Sequence, residues 1–300
     1  MFGPADLALR RLAVCLPPFA GYALTRAATR RIDPAREQAA REIVTRNAAR
    51  VLADHAAAAR AGAGFVAALA CDDLDALTAA RWPRRLRLAT TRSEGIEALP
   101  PGPLVVASFH FSGGFRIFDV LAAAGRRPTF LWAEDHDPQP SAYGDALRAA
   151  RRHHLGRVLA GGSWIVPGPG ARDALAAHLD AGGAVVALLD VAPEKIGLRD
   201  TAPVPLFGRA VALAVGLMRL AAARALPVVP YDGRIEGGRR VLRFHPAERA
   251  ADPLELLAAV VRRLERIVLE RPFDWQGWLD LDALIGPDPL AQAARDSDGS

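Results

Sequence analysis

Hydrophobic and polar positions alternate in two textures along this chain. Up to about residue 85 the apolar positions recur at three- and four-residue spacing, as a helix requires. Ala40, Ile43, Val44, Ala48, Val51 and Leu52 mark one face, and Arg36, Arg41, Arg46 and Arg50 take the others, which predicts a basic amphipathic helix. Ala56 to Ala70 reads as further helix. After Trp82-Pro83 the texture changes to short apolar runs separated by helical segments. Leu104 to Phe109, preceded by Gly102 and Pro103, has the unbroken apolar character of a buried strand. Further strands are predicted at Thr129–Trp132, Ser163–Val166, Ala184–Leu189, Val228–Tyr231 and Val241–Phe244. Helices are predicted at Phe115–Ala124, Ser141–His153, Arg172–Leu179, Val211–Ala225 and Leu254–Glu270. This alternation predicts an α/β fold, a largely parallel sheet flanked by helices, over residues 86–285. Residues 1–85 form a helical N-terminal region, and the Pro-, Asp-, Gly- and Ser-rich residues 286–300 a flexible tail.

Composition narrows the class. The 300 residues are 51% hydrophobic and 24% charged, a globular balance that excludes wholesale disorder. The net charge is +5, and Lys195 is the only lysine. The wealth of Ala, Arg, Gly and Pro reads as coding bias, so the arginine count is no argument for nucleic acid, and the scattered aromatics make no stacking platform. A positive surface still favours an anionic partner. Two cysteines, Cys15 and Cys71, exclude a disulfide scaffold and are expected to be buried thiols. The longest apolar N-terminal stretch, Leu12 to Leu24, is broken by Pro17 and Pro18; it is too short to span a bilayer and reads as a membrane-contacting segment or a buried helix hairpin, while Ala20-Gly21-Tyr22-Ala23 fits the cleavage site of a signal peptide poorly.

Chemistry in such sheets gathers where strands end and helices begin. Phe109-His110-Phe111-Ser112-Gly113-Gly114 lies at such a place. Histidine can act as a general base near neutral pH, Ser112 is a candidate helix cap, and the glycines allow close backbone approach to a ligand. Other signatures are missing. There is no Gly-x-Ser-x-Gly elbow, no P-loop and no complete dinucleotide loop. His153 and His154 are adjacent and would point to different sides of a helix. Glu134-Asp135-His136-Asp137 reads as a solvated loop.

Several segments together resemble the bacterial lipid A late acyltransferases, the lauroyl/myristoyl branch of the lysophospholipid acyltransferase-like superfamily. These are Arg41 to Leu52, Val105 to Gly114, Arg172 to Asp190, Val204-Pro205-Leu206-Phe207-Gly208-Arg209, Leu220 to Pro230 and Pro272 to Trp278, in that order over most of the chain. The resemblance implies a glycerol-phosphate-acyltransferase-like core. It implies transfer of a fatty acyl group from an acyl-carrier protein or coenzyme A thioester to a hydroxyl of a membrane lipid, lipid A-like or lysophospholipid-like. No metal or cofactor is implied. It places the protein at the cytoplasmic face of the bacterial inner membrane, peripheral or monotopic, against an anionic surface. His110 would be the base of a His-x4-Asp/Glu pair. The fifth position after His110 is Phe115, however, which cannot orient an imidazole. Asp119, one helical turn on, Asp190 at a strand end, and Glu134 or Asp135 are the candidate replacements. Backbone N–H groups of Ser112 to Gly114, or beside Gly208, are candidates for holding an oxyanion. Phe207, Gly208 and Arg209, with Arg157 and Arg172, are candidate substrate contacts, the arginines for phosphate or carboxylate. A binding protein without catalysis, or an acyltransferase for a specialised lipid or secondary metabolite, is the alternative.

Overall fold

The computed structural model describes residues 12–286 apart from 14, 33, 80–81, 133–148, 150–151, 154, 158, 160–163 and 194–198. The predicted helix at 141–153, the Glu134–Asp137 loop, His154 and Lys195 therefore lie largely or wholly outside the described residues, as do residues 287–300.

The described N-terminal part is helical: α1 (Pro18–Ile32), α2 (Pro34–Ala49), α3 (His55–Ala79) and the short α4 (Arg84–Ala89). Proline opens both α1 and α2, where its missing N–H costs nothing. On α2, Val44 and Ala48 are buried while Ile43 and Arg46 face outward. Val44, Ala48, Ala61 and Phe65 share one hydrophobic cluster with the strands and the C-terminal helices, so this region packs onto the sheet domain. Cys71 is buried as expected, but Cys15 is exposed. No described helix is long and apolar enough to cross a membrane.

The rest is α/β. Strands β1 (Thr91–Glu94), β2 (Leu104–Ser108), β3 (Pro128–Leu131), β4 (Ala184–Leu188), β7 (Val228–Glu236) and β8 (Arg239–Phe244) form a six-stranded sheet in the order β1-β8-β7-β2-β4-β3; β5 (Thr201–Leu206) and β6 (Arg209–Ala214) make a separate hairpin. All neighbours in the large sheet are parallel except β7 and β8. Every residue of β2 is buried, as expected of a central parallel strand covered on both faces. The described residues also include helices α5 (Arg116–Ala123), α6 (Ala171–Asp180), α7 (Gly216–Ala223), α8 (Pro253–Glu270) and α9 (Leu281–Ile285). Asp252 caps α8 through its side chain, Pro253 occupies the first turn, and Leu256, Leu257, Val260, Val261, Leu264, Ile267 and Val268 form its buried stripe.

Two further sequence expectations change. The helix expected over Val211–Ala225 is a strand followed by a shorter helix. Phe207 and Gly208 both take positive φ (53° and 71°), the turn geometry that joins two-residue hairpins, so the chain folds back as β6 before α7 begins. The strand expected at Ser163–Val166 is reduced to one bridge, Ile165 against Leu131.

Candidate functional site

Strands β2 and β4 run parallel in a register that pairs Leu104 with Ala184 and Ser108 with Leu188. Two residues beyond the last pair, the same offset brings His110 beside Asp190. The chain turns sharply there: Phe111 N–H donates to the carbonyl of Phe109 (2.7 Å). The turn directs the His110 backbone N–H onto both Asp190 carboxylate oxygens, at 3.0 and 2.9 Å. His110 Nδ1 lies 2.8 Å from Asp190 Oδ1. The His110 carbonyl accepts from Gln276 N–H at 2.8 Å, so the backbone is held on both sides.

The two side chains differ in exposure. His110 is 38% exposed and the Asp190 side chain is fully buried. Burial alone would push Asp190 up. The His110 ring and the hydrogen bonds from His110 and Trp275 outweigh it and hold the carboxyl below its ordinary range, hence ionised. A buried carboxylate beside an accessible imidazole is the orienting arrangement that general-base histidines use.

Behind this pair lies a buried ionic cluster. Asp75 accepts from Tyr22 (2.5 Å), from Arg116 (3.2 and 2.7 Å) and from Arg240 (2.5 Å). Asp72 accepts from Ser112 Oγ (3.1 Å), from Gly113 N–H (2.7 Å), and from the side chains of Arg240 and Gln276. Burial pushes Asp72 up to about 6 despite Arg240, whereas Arg116 and Arg240 together overcome burial at Asp75 and lower it. The cluster ties α1, α3 and β8 to the loop after β2 and so fixes the loop's shape.

That cluster corrects the sequence reading of the loop. Ser112 does not cap a helix: α5 starts at Arg116, and its first flanking residue, Phe115, makes no side-chain cap. The N–H of Ser112 is spent on the Asp274 carbonyl (3.0 Å) and that of Gly113 on Asp72, so neither is available to an oxyanion, and Gly114 is the loop's remaining candidate. Gly113 has φ 87° and lies against the Arg240 side chain, so a side chain there would be strained and crowded. Phe115 packs on Phe118 and Phe130, as part of an aromatic cluster and away from any imidazole-orienting role.

Asp119 is not the partner of His110. It is buried in a two-bond salt bridge with Arg87, Nε to Oδ2 at 2.7 Å and Nη2 to Oδ1 at 2.6 Å, which fastens α5 to α4. Arg157, Arg172 and Arg209 are exposed, and among the described residues no ion pair or hydrogen bond joins them to His110 or Asp190. Glu134 and Asp135 lie outside the described residues. Gly208 is exposed at the β5–β6 turn. Phe207 turns inward instead, with its N–H on Glu265 (2.5 Å) and its ring on Trp275 and Trp278. Among the described residues no cluster of His, Cys, Asp or Glu could hold a metal ion.

Sequence reasoning missed the contribution of the last segment. After α8, two short 3-10 turns (Pro272–Asp274 and Gln276–Asp280) run under the His110 loop. Phe111 bridges to Trp275, and Trp275 Nε1 donates to Asp190 Oδ2 at 2.7 Å. The Pro272 to Trp278 resemblance was the one signal that could have pointed there. No protein-family model matches this sequence, and no curated protein matches it either.

Proposed function

We propose that the protein is an acyltransferase with His110 as general base and Asp190 as the carboxylate that orients it. The observation that carries this reading is the 2.8 Å Nδ1–Oδ1 pair between a buried carboxylate and a part-exposed imidazole at the ends of adjacent parallel strands. The missing acid at Phe115 is thereby supplied from another strand. In the proposed reaction Asp190 accepts from Nδ1–H, which leaves Nε2 as the basic nitrogen. Nε2 takes the proton of the acceptor hydroxyl as its oxygen bonds to the thioester carbonyl carbon. The carbon–sulfur bond then breaks, and the imidazolium returns the proton to the departing thiolate, so no covalent enzyme intermediate is needed. Asp190, ionised throughout, stabilises the imidazolium.

The donor is an acyl thioester of a carrier protein or coenzyme A, and the acceptor a hydroxyl on a membrane lipid. Peripheral attachment to an anionic membrane, which we place at the cytoplasmic face, is supported by the net charge of +5 and by exposed Leu12 and, in the first turn of α1, Phe19 (63% exposed). Loss of catalysis with retained lipid binding is the rival. Purified protein would be incubated with acyl thioesters and lysophospholipid or lipid A-precursor vesicles, and products read by mass spectrometry. His110→Ala is expected to lose acyl transfer while binding vesicles as before. Full transfer by that variant would remove His110 from the mechanism, and no transfer by the native chain with any acceptor would favour the binder.

A further inference from the structure

We infer that Trp275 is a positioning residue for the Asp190–His110 pair, acting through its indole N–H rather than through its bulk alone. The inference rests on the proposed function for its kinetic consequence and on geometry alone for its structural one.

Asp190 has two oxygens and a divided set of donors. Oδ1 faces His110 Nδ1 at 2.8 Å, Oδ2 receives Trp275 Nε1–H at 2.7 Å, and the His110 backbone N–H bridges both. Without the indole, Oδ2 would keep one shared donor in a fully buried setting, and the carboxylate plane could turn away from the imidazole. With it, rotation would break a hydrogen bond to a charged acceptor, the stronger kind. Trp275 therefore holds the carboxylate plane in line with the imidazole. A neutral donor does this without placing a second cation beside the histidine.

The indole is itself held. Its ring lies 4.6 Å from Trp278 in an edge contact and 5.5 Å from Phe207. Trp278 Nε1 donates to the Pro272 carbonyl at 2.5 Å. A Cβ at Gly277 would collide with the Trp275 ring, so this close approach requires glycine. Phe207 reaches the stack only through its positive φ, a conformation uncommon for a bulky residue and secured here by the Glu265 bond to its N–H. The Val-Pro-Leu-Phe-Gly element, expected to touch substrate, thus supports the dyad from behind.

The test is Trp275→Phe, which keeps a ring and removes the donor. Acyl transfer is expected to fall about 10- to 100-fold in kcat with KM little changed, the range for outer partners that orient a functional ligand. In an Asp190→Asn background the same substitution should cost much less, because the carboxylate it orients is gone. Carboxyl-carbon NMR of Asp190 should show its titration moved upward in Trp275→Phe, since a donor to the charged form is lost. An equal loss in both backgrounds, or an unmoved Asp190 titration, would overturn the inference. The NMR arm needs no turnover, so it decides the point even if His110→Ala disproves acyl transfer. Should Trp275→Phe not fold, the native indole N–H resonance must shift together with Asp190 on acid titration, and independent behaviour would overturn the inference.

Discussion

Among the described residues two histidine–aspartate pairs sit at strand ends, and they are built differently. His110 meets Asp190 at the ends of β2 and β4, and His245 meets Asp232 where β8 ends against β7. Both aspartates are buried, and both carboxyls are held below their ordinary range in spite of that burial. Asp190 is satisfied by uncharged donors and an imidazole that is 38% exposed. Asp232 has Arg271 as a permanent cation as well, and its histidine is 15% exposed. A carboxylate neutralised by arginine has little left to offer an imidazolium. The first pair is thus poised to stabilise a charge that comes and goes. The second serves to pin the end of α8 and the turn after it to the sheet.

The sharpest way to break this comparison is to neutralise each aspartate. Asp190→Asn is expected to lower acyl transfer by on the order of 10⁴, the cost of losing the orienting carboxylate in the serine-protease triad. Asp232→Asn should leave kcat within about tenfold and lower the unfolding midpoint instead, because it removes the charge partner of Arg271. Similar kinetic losses in both variants would erase the distinction drawn here.

Asp119 supplies the next test. Asp119→Ala leaves Arg87 buried without its carboxylate and should destabilise the fold by about 3–5 kcal/mol in denaturant titration. Activity per folded molecule should survive. Its abolition in well-folded protein would return Asp119 to the reaction.

The smallest expected effect concerns pH. Asp274 lies beside Trp275, and burial pushes it up to about 7 although Arg271 is 3.7 Å away. Its folded value is raised, so the fold favours the neutral acid. That contribution is complete below about pH 4, the ordinary carboxyl range, and is lost as pH rises through about 7. Thermal midpoints should therefore decline between about pH 4 and about pH 7 and level off above, and Asp274→Asn should flatten the decline. Identical slopes would assign it to other groups.

How much of this was legible beforehand follows from the range of each interaction. The β2 strand, the His110 loop and the α8 helix could be read from local pattern, and the structure has each of them. The β5–β6 hairpin was hidden because it turns on Phe207, a residue with no intrinsic preference for positive φ. Its conformation is secured by Glu265 and two tryptophans far along the chain. Local pattern gave no sign of Trp275 for the same reason, and only the resemblance over Pro272 to Trp278 touched it: its indole meets Asp190 only after α8 has brought the chain back under the sheet.

The sequence by itself determined an α/β chain with a basic helical start and a histidine where a strand opens into a glycine-rich loop. Local periodicity and backbone preference are enough for that, since both act over a few residues. Which carboxylate serves His110 was decided only by tertiary structure. Asp119 is nearer along the chain, but its helix turns it toward Arg87. The parallel register of β2 on β4 carries Asp190, 80 residues away, into hydrogen-bond contact. Register depends on how whole strands pack and bury, and no short stretch of sequence encodes it.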